Sequence, residues 1–279
     1  MLASYLLSLR EGLEAALIIG IVIGALHQIK RPDLRPVVWI GVISAVIVSI
    51  AAALLLTILG AEFEGRAEEV FEGFAMLTAA GVLTWMVFWM RSHAATLKLD
   101  LETDVRRAAI KGGMGALFVL AFLSVAREGL ELVLFLTAAQ ISTGGTLTLL
   151  GAVLGLGTAV LLGWVLFATT RSLPLNRFFQ VTNVLLILFA AGLVAHGVHE
   201  LNEAGVIPPV VDHVWDINYI LDENSLLGQV LKTLFGYNGD PSLTEVLAYF
   251  SYFILIWLGF TKVDAANLAS KEISKDPAA

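Results

Sequence analysis

Two copies of one charged pentapeptide stand inside apolar sequence: Arg10-Glu11-Gly12-Leu13-Glu14 and Arg127-Glu128-Gly129-Leu130-Glu131. Glutamates three residues apart on a helix share a face, so each copy presents two carboxylates side by side. Its arginine reaches the second glutamate at i,i+4. A charged side chain at the centre of a lipid-spanning helix costs about 2.5–3.5 kcal/mol, so all six charges must face a protein interior or a wet cavity and be paired. If Arg10 pairs with Glu14 and Arg127 with Glu131, two carboxylates are left over, a formal charge of −2 across both motifs. Carboxylate oxygens are hard ligands that suit hard or borderline metals, including iron, manganese and magnesium. A structural ion pair that only locks two helices accounts for the arginines but not for the surplus carboxylates. Gly12 and Gly129 leave room for close helix–helix approach.

Two weaker constellations accompany the motifs. Glu68, Glu69 and Glu72 open a helical stretch, with Glu68 and Glu72 on one face. They read either as a cation-collecting mouth or as acids that favour a helix N-terminus. His196, His199 and Glu203 share a face if their helix continues, and read as metal contacts or as ordinary interfacial histidines. The string His199-Glu200-Leu201-Asn202-Glu203 lacks the second histidine of a zinc-protease motif.

The elements that must position these side chains are membrane helices. The 279 residues are 58% hydrophobic and 15% charged, against roughly half and about a quarter in a soluble domain. The excess is gathered into runs of about 20 residues, enough to cross a bilayer core, so lipid is the partner of most of the surface. The absence of cysteine removes disulfides and thiolate metal sites. A pI near 5.2 without a basic stripe excludes nucleic acid as a partner. The N-terminus lacks the basic region of a cleavable signal peptide, and Arg10 and Glu11 interrupt its apolar stretch.

Seven spans are predicted, at about 3–26, 37–60, 70–90, 113–140, 146–169, 178–200 and 244–262. All are read as helices, since lone strands leave their backbone unsatisfied in lipid. Basic residues gather in alternate loops: Lys30, Arg31 and Arg35; Arg91, Lys98, Arg106, Arg107 and Lys111; Arg171 and Arg177; Lys262, Lys271 and Lys275. The opposite loops hold only Arg66 and Lys232. Basic loops favour the cytoplasm, which places the N-terminus outside and the C-terminus inside. The opposite loops are acidic, and such a face raises local cation concentration. The long connection at 201–240 carries enough apolar residues for one or two amphipathic helices at the membrane surface. Asp240-Pro241 reads as the start of the seventh helix.

The pentapeptide is also the mark of an internal repeat. Gly41 can be set against Gly151, and Ala79-Ala80-Gly81 against Ala190-Ala191-Gly192. Spans one to three (about 1–93) and four to six (about 111–203) therefore read as two copies of a three-helix unit. An odd number of spans forces the second copy to be inverted, an arrangement whose binding sites lie near the midplane at the repeat interface. The expected fold is an all-α integral membrane protein: a permease domain over 1–262, with the seventh helix added to the repeat, and a cytoplasmic tail over 263–279.

The doubled REGLE, Glu68-Glu69-Val70-Phe71-Glu72, His196-Gly197-Val198-His199-Glu200 and Phe235-Gly236-Tyr237-Asn238-Gly239-Asp240-Pro241-Ser242 together resemble the oxidase-dependent iron transporter family, over nearly the whole chain. The fungal high-affinity iron permeases and the bacterial EfeU-type permeases form that family, and the last two stretches look like its bacterial branch. The resemblance implies uptake of iron as a substrate rather than a permanently bound cofactor. It implies Glu11, Glu14, Glu128 and Glu131 as translocation ligands and Glu68 and Glu72 as a relay. It also implies partners outside the membrane: an iron-binding protein and an oxidase or peroxidase, separate here because no large domain is fused. Alternatives are a carrier of manganese, lead or protons, a membrane-embedded metal-dependent enzyme, for which no nucleophile or base is found, and a scaffold that moves nothing.

Overall fold

The computed structural model describes residues 1–93, 96–143, 145–168, 175–223 and 225–275. Arg171, one of the basic residues used above for orientation, lies outside them. Among the described residues the chain is all helix, without strands. The helices are α1 (Leu2–Gln28), α2 (Arg35–Ala61), α3 (Arg66–His93), α4 (Leu97–Arg107), α5 (Gly113–Thr143), α6 (Gly145–Ala168), α7 (Leu175–Glu203), α8 (Leu226–Phe235) and α9 (Leu243–Lys275). A 3-10 turn over Pro32–Leu34 precedes α2, and a π-helical turn over Ala108–Gly112 joins α4 to α5.

Among the described residues, five segments are long and apolar enough to cross a membrane: Pro32–Gly60, Arg66–Ser92, Gly145–Val165, Phe179–Glu203 and Leu243–Val263. The protein is thus an integral membrane protein. The exposed face of α2 carries Ile40, Ile43, Ile47, Ile50 and Leu54, an apolar stripe that only lipid or protein can cover.

Local chemistry sets the helix ends. α1 stops where Lys30 takes a φ of 57° and the Arg31 amide returns to the Leu26 carbonyl at 2.9 Å. α7 stops the same way at Gly205, with a φ of 66°, and the Val206 amide donates to the Leu201 carbonyl at 2.9 Å. Both are Schellman closures that satisfy otherwise orphaned carbonyls. α9 begins later than Asp240-Pro241 suggests, because Ser242 and Glu245 form a capping box. The Ser242 amide donates to Glu245 Oε1 at 3.0 Å, and the Glu245 amide donates to Ser242 Oγ at 3.3 Å. The helix then runs to Lys275, beyond the boundary at 262 that hydropathy suggests. Among the described residues the 201–240 connection contains one amphipathic helix, α8, capped by Ser225 and ended by a left-handed Gly236.

The chain divides into two compact units: residues 1–71 with 96–184, and residues 72–95 with 185–279. In the first, α1 packs on α6 and on α5, while α2 packs on α5. Glycines make the approach close. Gly41 of α2 lies against Phe118, Ala121 and Phe122 of α5. Gly151 of α6 lies against Met1, Ser4 and Tyr5, at the N-terminal end of α1. These three precede the first REGLE by the same intervals as Phe118, Ala121 and Phe122 precede the second. The motif glycines behave alike: Gly12 meets Leu156 and Ala159 of α6, and Gly129 meets Ser49 of α2. In the second unit Gly73 of α3 packs on Gly197 and Leu201 of α7, and Thr84 Oγ1 shares a 2.9 Å hydrogen bond with the Tyr252 hydroxyl of α9.

Gly155→Ala drives a methyl group into Tyr5, Ser8 and Leu9, whereas Gly157→Ala, on the same helix, meets nothing within 4 Å. Thermal unfolding in detergent should show the first destabilised by about 1–3 kcal/mol relative to the second, the cost of overpacking. Equal melting temperatures would contradict this helix interface.

Candidate metal centre

α1 and α5 bring the two pentapeptides together in the first unit. Arg10 is 0% exposed and Glu11 1%. Arg10 Nη1 donates to Glu11 Oε1 at 2.9 Å, and its Nη2 lies 3.1 Å from Glu14 Oε1. In the second copy Arg127 Nε donates to Glu131 Oε1 at 2.8 Å and stands 4.0 Å from Glu128 Oε1. Both i,i+4 pairs read from the sequence are therefore formed. The departure is at Glu11, which the charge count left over and which the first guanidinium also holds.

Glu11, Glu128 and Glu131 each offer an oxygen, and these three oxygens lie within 4.8 Å of one another. Metal–oxygen distances of about 2.0–2.6 Å place ligand oxygens on opposite sides of an ion at roughly 4–5 Å, so the group is of the right size for a cation. Glu14 is not part of this set. Oε2 of Glu11, of Glu128 and of Glu131 is buried without a hydrogen-bond partner. A buried acceptor left this way costs about 1–3 kcal/mol or more when charged, and a bound cation removes that cost. A cavity of about 290 Å³ adjoins Glu11 and Glu128, with walls from Val46, Ser49, Leu132 and Leu156. The carboxylates thus stand at the edge of an apolar chamber, where electrostatic attraction to a cation is strong.

The other expected ligands are arranged differently. At the start of α3 Glu68 is exposed, while Glu69 and Glu72 are half-buried. Among the described residues none of them joins a three-ligand group. His199 Nε2 lies 3.4 Å from Glu203 Oε1, and its Nδ1 lies 3.1 Å from Glu245 Oε1. His196 makes a separate contact: its Nδ1 lies 3.0 Å from the Gly192 carbonyl. The partner missed in the sequence is Glu245, which is 3% exposed and also accepts from Asn238 Nδ2 at 2.7 Å. Its available signal was the Ser-x-x-Glu spacing of the capping box.

Residues 1–272 match the Iron permease FTR1 family. The ferrous iron permease EfeU of Escherichia coli O157:H7 is 38% identical over 262 residues, covering 93% of this chain and 95% of the relative. The ferrous iron permease EfeU of Yersinia pestis is 38% identical over 256 residues, covering 91% of each. No solved structure matches.

The two arginines should differ in weight. Arg10→Met leaves two buried carboxylates without their guanidinium and should cost about 3–5 kcal/mol in unfolding experiments. The Arg127 side chain is 33% exposed, so water replaces part of what Arg127→Met removes. A smaller loss is therefore expected there. Equal losses would mean that burial does not set the strength of the two pairs.

Proposed function

The chain belongs to the Iron permease FTR1 family, and from that premise we propose that it carries ferrous iron inward through a site built from both REGLE motifs. The observation that carries this reading is the trio Glu11, Glu128 and Glu131, buried, within 4.8 Å and with unpartnered oxygens. Glu14 serves as an exchange partner. Arg10 touches both Glu11 and Glu14, so it keeps a counter-ion when Glu11 turns to the metal. The net formal charge of −2 on the two motifs favours a divalent ion, which brings the site to neutrality. A trivalent ion leaves it positive in a medium that penalises uncompensated charge. Relatives named ferrous iron permeases support the same choice.

In this reading α1 and α5 cross the membrane along with the five apolar segments, giving seven spans. The reciprocal glycine contacts support an inverted repeat of α1–α3 and α5–α7, with α9 outside it. The basic loops support an external N-terminus and a cytoplasmic C-terminus. Glu68, Glu69 and Glu72 then lie at the external side and gather cations. Iron comes from a separate iron-binding protein and an oxidase or peroxidase outside the membrane.

Glu128→Gln and Glu131→Gln should each abolish most uptake of labelled Fe²⁺ into proteoliposomes, and Glu68→Gln should lower it without abolishing it. Unchanged uptake by Glu131→Gln would exclude the site. The cysteine-free chain permits a direct check of orientation with an impermeant thiol reagent on intact cells. Glu64→Cys should be labelled and Asp33→Cys should not, and the reverse pattern would invert the topology.

A further inference from the structure

Another cavity, polar and of about 450 Å³, lies wholly within the 185–279 part of the second unit, between α7, the start of α9 and the connection that carries α8. Its wall includes the carboxylates of Glu203, Asp212, Glu223, Asp240 and Glu245, against one ammonium, that of Lys232. That ammonium is spent on Glu223 at 3.2 Å. His199 sits between Glu203 and Glu245, and His213 Nδ1 lies 2.8 Å from Asp240 Oδ1.

His196 forms another part of this wall and is 8% exposed. A carbonyl can only accept, so the contact with Gly192 makes His196 Nδ1 the donor. Nε2 is thereby left with its lone pair, and it is buried without a partner. A histidine oriented through one nitrogen by a backbone carbonyl, with the other nitrogen free, has the arrangement of a metal ligand. The acidic wall sets the sign of what it attracts. Yet among the described residues only the REGLE glutamates bring three ligand atoms within 4.8 Å. The cavity therefore has no complete set of direct protein ligands, but it has room for water. Six water molecules occupy about 180 Å³ at their liquid volume, well inside the cavity.

We propose that this cavity is a second cation site, which holds a divalent transition-metal ion through His196 Nε2 while the ion keeps most of its water, and the surrounding carboxylates bind that water. Imidazole as the direct ligand selects transition metals over Mg²⁺ and Ca²⁺, which prefer oxygen. The retained water makes the site weaker and faster to exchange than the buried trio. The proposal is independent of the transport reading.

Mn²⁺ is the probe, followed by paramagnetic resonance on the full-length protein in detergent. The double variant Glu128→Gln/Glu131→Gln removes the REGLE trio and should still bind one Mn²⁺, with hyperfine coupling to a single nitrogen and to exchangeable water protons. Adding His196→Gln should abolish the nitrogen coupling and weaken binding by about tenfold or more. Asp212→Asn, at an exposed position, should weaken binding while leaving the nitrogen signal and the fold intact, and it serves in place of His196→Gln if that variant does not fold. The proposal is overturned if the double variant binds no Mn²⁺, if the bound ion shows no nitrogen coupling, if a folded His196→Gln variant keeps that coupling, or if Asp212→Asn leaves the titration unchanged. Because the measurement is made without the trio, its failure leaves the transport reading standing, and loss of the transport reading leaves it standing.

Discussion

A guanidinium with no exposed surface constrains the whole first unit. Arg10 cannot be buried among helices without carboxylates within reach, and Glu11 and Glu14 supply them at 2.9 and 3.1 Å. Those carboxylates are buried in turn, with α1 packed against α5 and α6. Enclosure at that distance requires residues without bulk, and Gly12, Gly151 and Gly155 stand at the contacts. The charge, the packing and the glycines are one requirement met at three levels. Buried ion pairs seldom stabilise a fold relative to well-packed apolar residues. Leucine at the six charged positions would give a simpler bundle, so the pattern points to use of the charges rather than to stability.

The duplicated pentapeptide does not produce duplicated environments. Arg10 is fully enclosed, while the Arg127 side chain retains a third of its surface. Glu11 is held tightly by its arginine, while Glu128 stands 4.0 Å from the corresponding guanidinium. The trio accordingly takes one carboxylate from α1 and two from α5. An ion at this point would be bound to two helices at once, and any relative shift of α1 and α5 would change its ligand count. A symmetric set of four would bind more tightly and release less readily.

Helix positions were largely legible in the sequence, because uninterrupted apolar runs admit little else in lipid. The i,i+4 pairs were legible too, since they depend only on helical geometry. What escaped was whatever depends on the meeting of distant segments. Glu245 carries no sequence signal for its pairing because its partner His199 is 46 residues away, although the Ser242–Glu245 spacing is visible. Helical spacing groups His196 with His199 and Glu203, yet its ring bonds back to Gly192 on its own helix, a rotamer choice that spacing cannot reveal. Pairing arithmetic leaves Glu11 surplus because it gives each arginine one partner, whereas a guanidinium has five N–H donors and can hold two.

That second partner bears on how an ion could leave. A cation coordinated by Glu11 lies close to the Arg10 guanidinium, and like charges repel at that distance in a low-dielectric interior. Arg10 can relieve the repulsion by shifting its hydrogen bonds from Glu11 to Glu14, which is already within 3.1 Å. A guanidinium that returned to Glu11 would compete with the metal for the same oxygens and weaken their hold. In the proposed carrier the arginine would serve as an internal counter-ion, taking the place of the cargo between cycles, because it already stands within reach of both Glu11 and Glu14. On the same proposal Glu14, outside the ligand trio, would be the place to which the guanidinium moves while the site is filled.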